Sequence, residues 1–112
     1  NLNLAFNYSG RQEITIMVKN IAKDYKNGIL HDINDKLIND YLYTADISEP
    51  DLLIRTGGEY RISNFLLWQI AYTEIYFTKT YWPSFDENEL MVAIKDYQNR
   101  ERRFGKVSEQ IS

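Results

Sequence analysis

Arg55, Gly57, Gly58, Arg61 and Ser63 fall within nine residues of one another. Guanidinium forks grip phosphate oxygens in pairs, glycine lets backbone approach a ligand closely, and a hydroxyl with free backbone N–H groups completes an anion cradle. Converging at one loop, these are the groups a diphosphate requires. The glycines lack the Gly-Lys-Ser/Thr ending of a P-loop and do not match a dinucleotide fingerprint, so neither familiar mode of nucleotide binding is supported. The competing reading is an ordinary loop in which Arg55 pairs with Glu59, Ser63 caps a helix and the glycines make a turn. On residue types alone both readings stay open.

Glu74 is the second candidate, because it sits among Ile70, Ala71, Ile75 and Phe77, and a carboxylate among apolar residues needs a partner or a metal. An ion pair with an arginine is the plainer outcome. A Mg2+ site draws on one or two carboxylates plus substrate phosphate oxygens, which makes a cation at Glu74 more plausible beside an arginine-lined loop. Arg100, Arg102, Arg103 and Lys106 form a third cluster, ordinarily a solvated basic helix end that complements the helix dipole. The aromatic residues Phe65, Trp68, Tyr72, Tyr76 and Phe77 read as core. His31 is the single histidine and Cys is absent, so nucleophilic triads and the common transition-metal sites are excluded.

The elements that must position these groups follow from apolar spacing. Leu2, Leu4 and Phe6 alternate with polar neighbours, which predicts a half-buried strand over Asn1 to Tyr8. Ser9 and Gln12 form a capping box, Ile14, Met17, Val18 and Ile21 recur at helical spacing, and Gly28 supplies a stop. Asp32 to Tyr43 reads as a second helix. Asp51 to Arg55 is a short apolar strand, Asn64 to Tyr72 a short buried helix with Ser63 at its start, and Glu74 to Thr78 another strand. Ser84 and Glu87 suggest a capping box for a last helix running to Arg103 and closed by Gly105, with a loose tail beyond Lys106. Strands alternating with helical crossovers imply an α/β fold, a parallel sheet flanked by helices. In such sheets ligands bind beyond the carboxyl ends of strands, which is where Arg55 leads into its loop.

The chain has 112 residues, 13 basic and 16 acidic, for a net charge of −3. That length suits one domain and no more. The charge gives no general attraction to nucleic acid. No apolar run approaches the ~18 residues a bilayer span needs, and absent cysteine fits a reducing, cytoplasmic address.

Residues Asp51 to Phe77, reading DLLIRTGGEYRISNFLLWQIAYTEIYF, closely resemble the signature of the cis-prenyltransferases. Asn7-Tyr8-Ser9-Gly10-Arg11, Trp82-Pro83 and Arg100-Glu-Arg-Arg-Phe-Gly105 are similar to the same family in the same order. The likeness covers nearly the whole chain and is specific to the bacterial branch that makes a C55 carrier lipid for cell-wall glycans. It implies a Mg2+-dependent homodimeric enzyme that adds isopentenyl diphosphate units, with cis geometry, to farnesyl diphosphate. It implies that Arg55, Arg61, Ile62 and Ser63 bind isopentenyl diphosphate and that Glu74 helps hold Mg2+. It further implies that Arg103 and Gly105, as the family's Arg-x-Gly, reach across the dimer toward the partner's diphosphate.

Measured against that family, residues 1–112 match the C-terminal portion of a single domain. The portion carrying the family's Asp-Gly-Asn-Gly-Arg motif, whose aspartate binds Mg2+ and the allylic diphosphate, is not among them. This implies that no catalytic residue lies in the chain, that the chain alone is inactive, and that its sheet is incomplete with an exposed apolar edge. Two other functions compete: a non-catalytic docking or partner module, and a generic diphosphate-binding domain. A lipid product would bring the enzyme peripherally to the inner face of the membrane.

Overall fold

Ser9 starts the first helix, as its spacing to Gln12 predicts. Its Oγ accepts the Gln12 N–H at 3.3 Å, and α1 runs Gly10–Lys26. Asn27 caps the far end and Gly28 turns the chain with φ +72°. The second helix is shorter than the expected Asp32 to Tyr43: Asn34 caps it, accepting the Leu37 N–H, and α2 spans Asp35–Tyr41. In this computed structural model the described residues are 1–107. They form two compact units, Asn1–Ser48 with Asn64–Trp68, and Glu49–Ser63 with the chain from Gln69 onward.

The first unit is built on α1 and α2. Met17, Ile21, Leu30 and Leu42 are buried together, with Ile14, Leu37, Ile38, Tyr41 and Trp68 packed around them. The Trp68 indole N–H finds Asn39 Oδ1 at 2.8 Å, which satisfies its polar end. Glu13 is 2% exposed. It accepts the Tyr43 N–H at 2.8 Å and a short hydrogen bond from the Tyr8 hydroxyl. Burial first, then that carboxylate, pushes the Tyr8 hydroxyl well above the usual tyrosine range.

Two expected elements are not formed. Residues 1–9 are not a strand, and Leu2, Leu4 and Phe6 lie largely open to solvent. A strand needs a neighbour to receive its ladder, and among the described residues none pairs there. Residues 64–72 make successive turns instead of a helix. Ser63, Asn64 and Leu66 all adopt positive φ, at 49°, 64° and 46°, a left-handed conformation that a right-handed helix cannot contain. The backbone is bent there because Asn64 closes on α1: its carbonyl accepts the Gly10 N–H at 2.7 Å and its Oδ1 accepts the Arg11 N–H at 2.9 Å. Gly10 has to be glycine, since a Cβ would stand 2.9 Å from Leu67 Cγ.

The second unit holds the sheet. β1 (Leu52–Arg55) and β2 (Glu74–Phe77) run parallel, with Leu52 opposite Glu74 and Arg55 opposite Phe77. Among the described residues the sheet has these two strands only. Every residue in them is half-buried, although such apolar strands suit cover on both faces. After a 3-10 turn at Trp82–Ser84, Asp86 caps α3 (Glu87–Gln98) by accepting the Glu89 N–H at 2.9 Å. Ser84 lies within the preceding turn, so the cap falls two residues later than the Ser84 box suggests. α3 packs on β2 and stops at Asn99, leaving Arg100 to Arg103 outside the helix. Of the expected loose tail, residues beyond 107 lie outside those described.

Candidate functional site

β1 delivers Arg55 to the carboxyl end of the sheet and the chain then turns at once. Gly57 and Gly58 have φ of +85° and +75°, where any other residue is strained. Their N–H groups do not face an open cradle. Gly57 donates to the Thr80 carbonyl and Gly58 to the Thr78 carbonyl, each at 2.9 Å. The expected free backbone donors are thus engaged in fastening the turn to the segment after β2, and the glycines serve its shape.

The cations of this loop are differently placed. The Arg55 guanidinium is half-buried and, among the described residues, has no hydrogen bond or ion pair of its own. Glu59 pairs with Arg61 at 2.5 Å, not with Arg55, and both side chains of that pair are exposed. Ile62 is half-buried and Ser63 is exposed, in a left-handed turn and not at a helix start. Tyr60 packs on Phe77 with ring centroids 5.4 Å apart, tying the loop to the end of β2. An exposed ion pair is worth about 0.2–1 kcal/mol, so Arg61 is readily released to a stronger anion. The loop offers two guanidinium groups and a hydroxyl to a polyanion.

Glu74 opens β2 at the other end of the sheet. Three residue steps of about 3.3 Å separate its level from that of Arg55, about 10 Å in all. Arg100 lies beside it: Nη1 donates to the Ile75 carbonyl at 2.9 Å and stands 3.9 Å from Glu74 Oε1, while Nη2 pairs with Asp96 at 2.6 Å. The ion pair expected as the plain alternative for Glu74 is therefore present, but long. Arg102 is also engaged, through Asp51, Tyr97 and Tyr72, so half of the basic cluster is built into the fold and is not a solvated helix end.

Arg103 is 57% exposed on its side chain and touches Glu101 at 3.1 Å. Phe104 and Gly105 then turn with φ of 49° and 82°, and the Lys106 N–H closes the turn on the Arg103 carbonyl at 2.8 Å. An open groove of about 370 Å³ includes Tyr72, Thr73, Glu74, Arg103 and Gly105 in its wall. The structure thus gathers Glu74, Arg103 and Gly105 at the amino end of the sheet, and Arg55, Arg61, Ile62 and Ser63 at or beyond its carboxyl end. Sequence reasoning did not pair Arg102 with Asp51, because the two meet across 51 residues and no local pattern links one to the other. Of the aromatic residues expected in the core, Tyr72 is 54% exposed. Its ring instead lies against Phe104 and Gly105.

As for metal, no three His, Asp or Glu side chains among the described residues gather into a cage. Glu74 contributes one hard oxygen donor. That fits Mg2+, which keeps several waters and takes its other ligands from substrate phosphates and one or two carboxylates.

A family model described as "Putative undecaprenyl diphosphate synthase" matches residues 1–105. An isoprenyl transferase of Porphyromonas gingivalis is 55% identical over 99% of this chain and 44% of the relative. A ditrans,polycis-undecaprenyl-diphosphate synthase, (2E,6E)-farnesyl-diphosphate specific, of Vibrio parahaemolyticus is 52% identical over 98% of this chain and 45% of the relative. The crystal structure of lavandulyl diphosphate synthase from Lavandula x intermedia, in complex with dimethylallyl diphosphate, superposes with a TM-score of 0.88. It is 42% identical and is matched over 92% of this chain and 45% of that one. The chain therefore spans a little under half the length of the relatives it matches.

Proposed function

Since the chain belongs to the undecaprenyl diphosphate synthase family of prenyltransferases, we propose that it is the C-terminal, isopentenyl-diphosphate-binding portion of a cis-prenyl chain-elongating enzyme. The observation that carries this reading is the loop after β1, where, among the described residues, Arg55 has no hydrogen-bond or ion-pair partner and Arg61 pairs with one exposed carboxylate. The family match supplies the substrate class, and the loop supplies the charge to hold it.

In the proposed reaction the allylic C–O bond breaks as its diphosphate departs, the isopentenyl double bond forms the new C–C bond, and a proton leaves the adjacent carbon. Arg55, Arg61 and the Ser63 hydroxyl hold the isopentenyl diphosphate, with Ile62 lining it, and so fix the direction from which the double bond attacks. Charge-assisted contacts of this kind hold the nucleophile without consuming it. Glu74 would contribute one carboxylate oxygen to Mg2+, which when bound neutralises diphosphate charge. Arg103 and Gly105 sit at the opposite end of the sheet from Arg55. This arrangement suits their serving the diphosphate of a partner copy in a homodimer, where an arginine reaching a second site is complemented by symmetry.

The remaining proposals concern the whole enzyme. Its allylic substrate is farnesyl diphosphate, its product a C55 carrier for cell-wall synthesis, and its place the cytoplasm, with peripheral contact to the membrane that receives the lipid. No helix among the described residues is long and apolar enough to cross a membrane. The aspartate that handles the allylic diphosphate belongs to the N-terminal portion, so the present chain alone is inactive. Labelled isopentenyl diphosphate tests this directly. Label should enter long polyprenyl product with the complete enzyme, native or as a chimera carrying the N-terminal portion of the Porphyromonas gingivalis relative. It should not do so with residues 1–112 alone, and a long labelled product from that chain would refute the assignment.

A further inference from the structure

Arg102 makes three side-chain hydrogen bonds among the described residues. Its Nη1 donates to Asp51 Oδ1 at 2.7 Å and to the Tyr97 hydroxyl at 3.1 Å, and its Nη2 donates to the Tyr72 carbonyl at 3.1 Å. The guanidinium carbon lies 4.5 Å from the centroid of the Phe104 ring and 5.7 Å from that of Tyr97. One flat side chain therefore joins the residue before β1, the residue two before β2, the last turn of α3 and the ring that follows Arg103. The Asp51 hydrogen bond is the main influence holding its pKa above the usual arginine value.

Phe104 and Gly105 are both left-handed, and the Lys106 bond closes the turn only on itself. Tyr72 seats the turn from the other side: its ring is 6.2 Å from Phe104 and would lie 3.4 Å from a Cβ at Gly105. Arg102 grips the carbonyl of that same Tyr72. The Arg103 side chain is 57% exposed and, among the described residues, pairs with Glu101.

We propose that Arg102 is a positioning residue, pinning the Arg103–Gly105 turn to the Asp51 and Tyr72 platform so that Arg103 meets a diphosphate in one fixed direction. This rests on the reading that Arg103 contacts substrate diphosphate. A planar fork is required, because three acceptors and a ring must be served at once, and a lysine ammonium offers a point charge without the fork. Losing the platform leaves Arg103 charged but unaimed, and a displacement of about 1 Å in such a contact can cost up to 100-fold.

The test is a cycle in the complete enzyme with Arg102→Ala, Arg103→Ala and the double variant, following KM for isopentenyl diphosphate, kcat and the melting temperature. Arg102→Ala should raise KM roughly ten- to hundredfold, and should add nothing further once Arg103 is alanine. Arg102→Lys keeps the charge and should fail to restore KM. An Arg102→Ala effect of equal size in both backgrounds, restoration by lysine, or a fall in melting temperature with KM unchanged would each overturn the proposal. If Arg102→Ala does not fold, Asp51→Asn carries the same cycle, since the Asp51 side chain is 71% exposed. A KM unchanged by Arg103→Ala alone would overturn the parent reading together with this one. A raised KM in Arg103→Ala with none in Arg102→Ala or Asp51→Asn would overturn this one alone.

Discussion

Arg55 and Arg61, at the carboxyl end of the β1–β2 pair, differ from Arg100 and Arg102, at its amino end, in what their guanidinium groups already hold. Among the described residues the first two have between them one exposed carboxylate. The second two bond Asp96, Asp51, Tyr97 and the carbonyls of Ile75 and Tyr72. An arginine that must bind a ligand cannot have its donors filled, whereas one that joins elements must. Residue type is the same at both ends, and the acceptors within reach decide the role. Arg103 stands between the two cases, exposed yet seated on the platform that Arg102 holds.

Removing an uncommitted arginine should therefore affect binding more than stability. Arg55→Ala should weaken isopentenyl diphosphate binding by about 1.5–3 kcal/mol, roughly 10- to 150-fold. Calorimetry reads the affinity, and the melting temperature should barely move. The loop's shape is the next place to strain the comparison. Gly57→Ala must hold a φ of +85°, at a cost of about 1–2 kcal/mol. Its Cβ would meet only Tyr81 at 3.8 Å, so the penalty is conformational and should appear in both unfolding and affinity.

A control lies away from both ends. The Tyr8 hydroxyl, buried and bonded to Glu13, has a folded pKa raised above its unfolded one. Its contribution is therefore complete below about pH 10 and is lost as pH rises through the folded value. Tyr8→Phe should cost about 1.5 kcal/mol at pH 7 in urea unfolding, and should flatten the alkaline decline without touching isopentenyl diphosphate affinity. The smallest effect is expected at Glu59. Glu59→Gln frees Arg61 from a pair worth at most about 1 kcal/mol, so affinity should tighten no more than about fivefold. Weaker binding in that variant would mean that Glu59 does more than shield its neighbour.

The sequence announces some of this arrangement and conceals the rest. Ser9 with Gln12, the stop at Gly28 and the strands ending at Arg55 and beginning at Glu74 are legible because capping and apolar runs are local signals. The turn chain over residues 64–72 is not. Phe65, Leu66, Leu67 and Trp68 look helical by composition, whereas the positive φ angles there accompany the closure of Asn64 on α1, a contact with residues more than fifty positions away. Likewise the glycines announce a loop, while the Thr78 and Thr80 carbonyls that occupy their N–H groups lie some twenty residues away. The strand expected at Leu2 to Phe6 depends on a pairing partner that the described residues do not contain.

On the proposed reading the loop after β1 holds the diphosphate of isopentenyl diphosphate, and Arg61 is the contact whose loss decides it. Titrating isopentenyl diphosphate with Mg2+ into the complete enzyme and its Arg61→Ala variant should show the variant at least about tenfold weaker, with unchanged melting temperature. Equal affinity in the two proteins would contradict the claim.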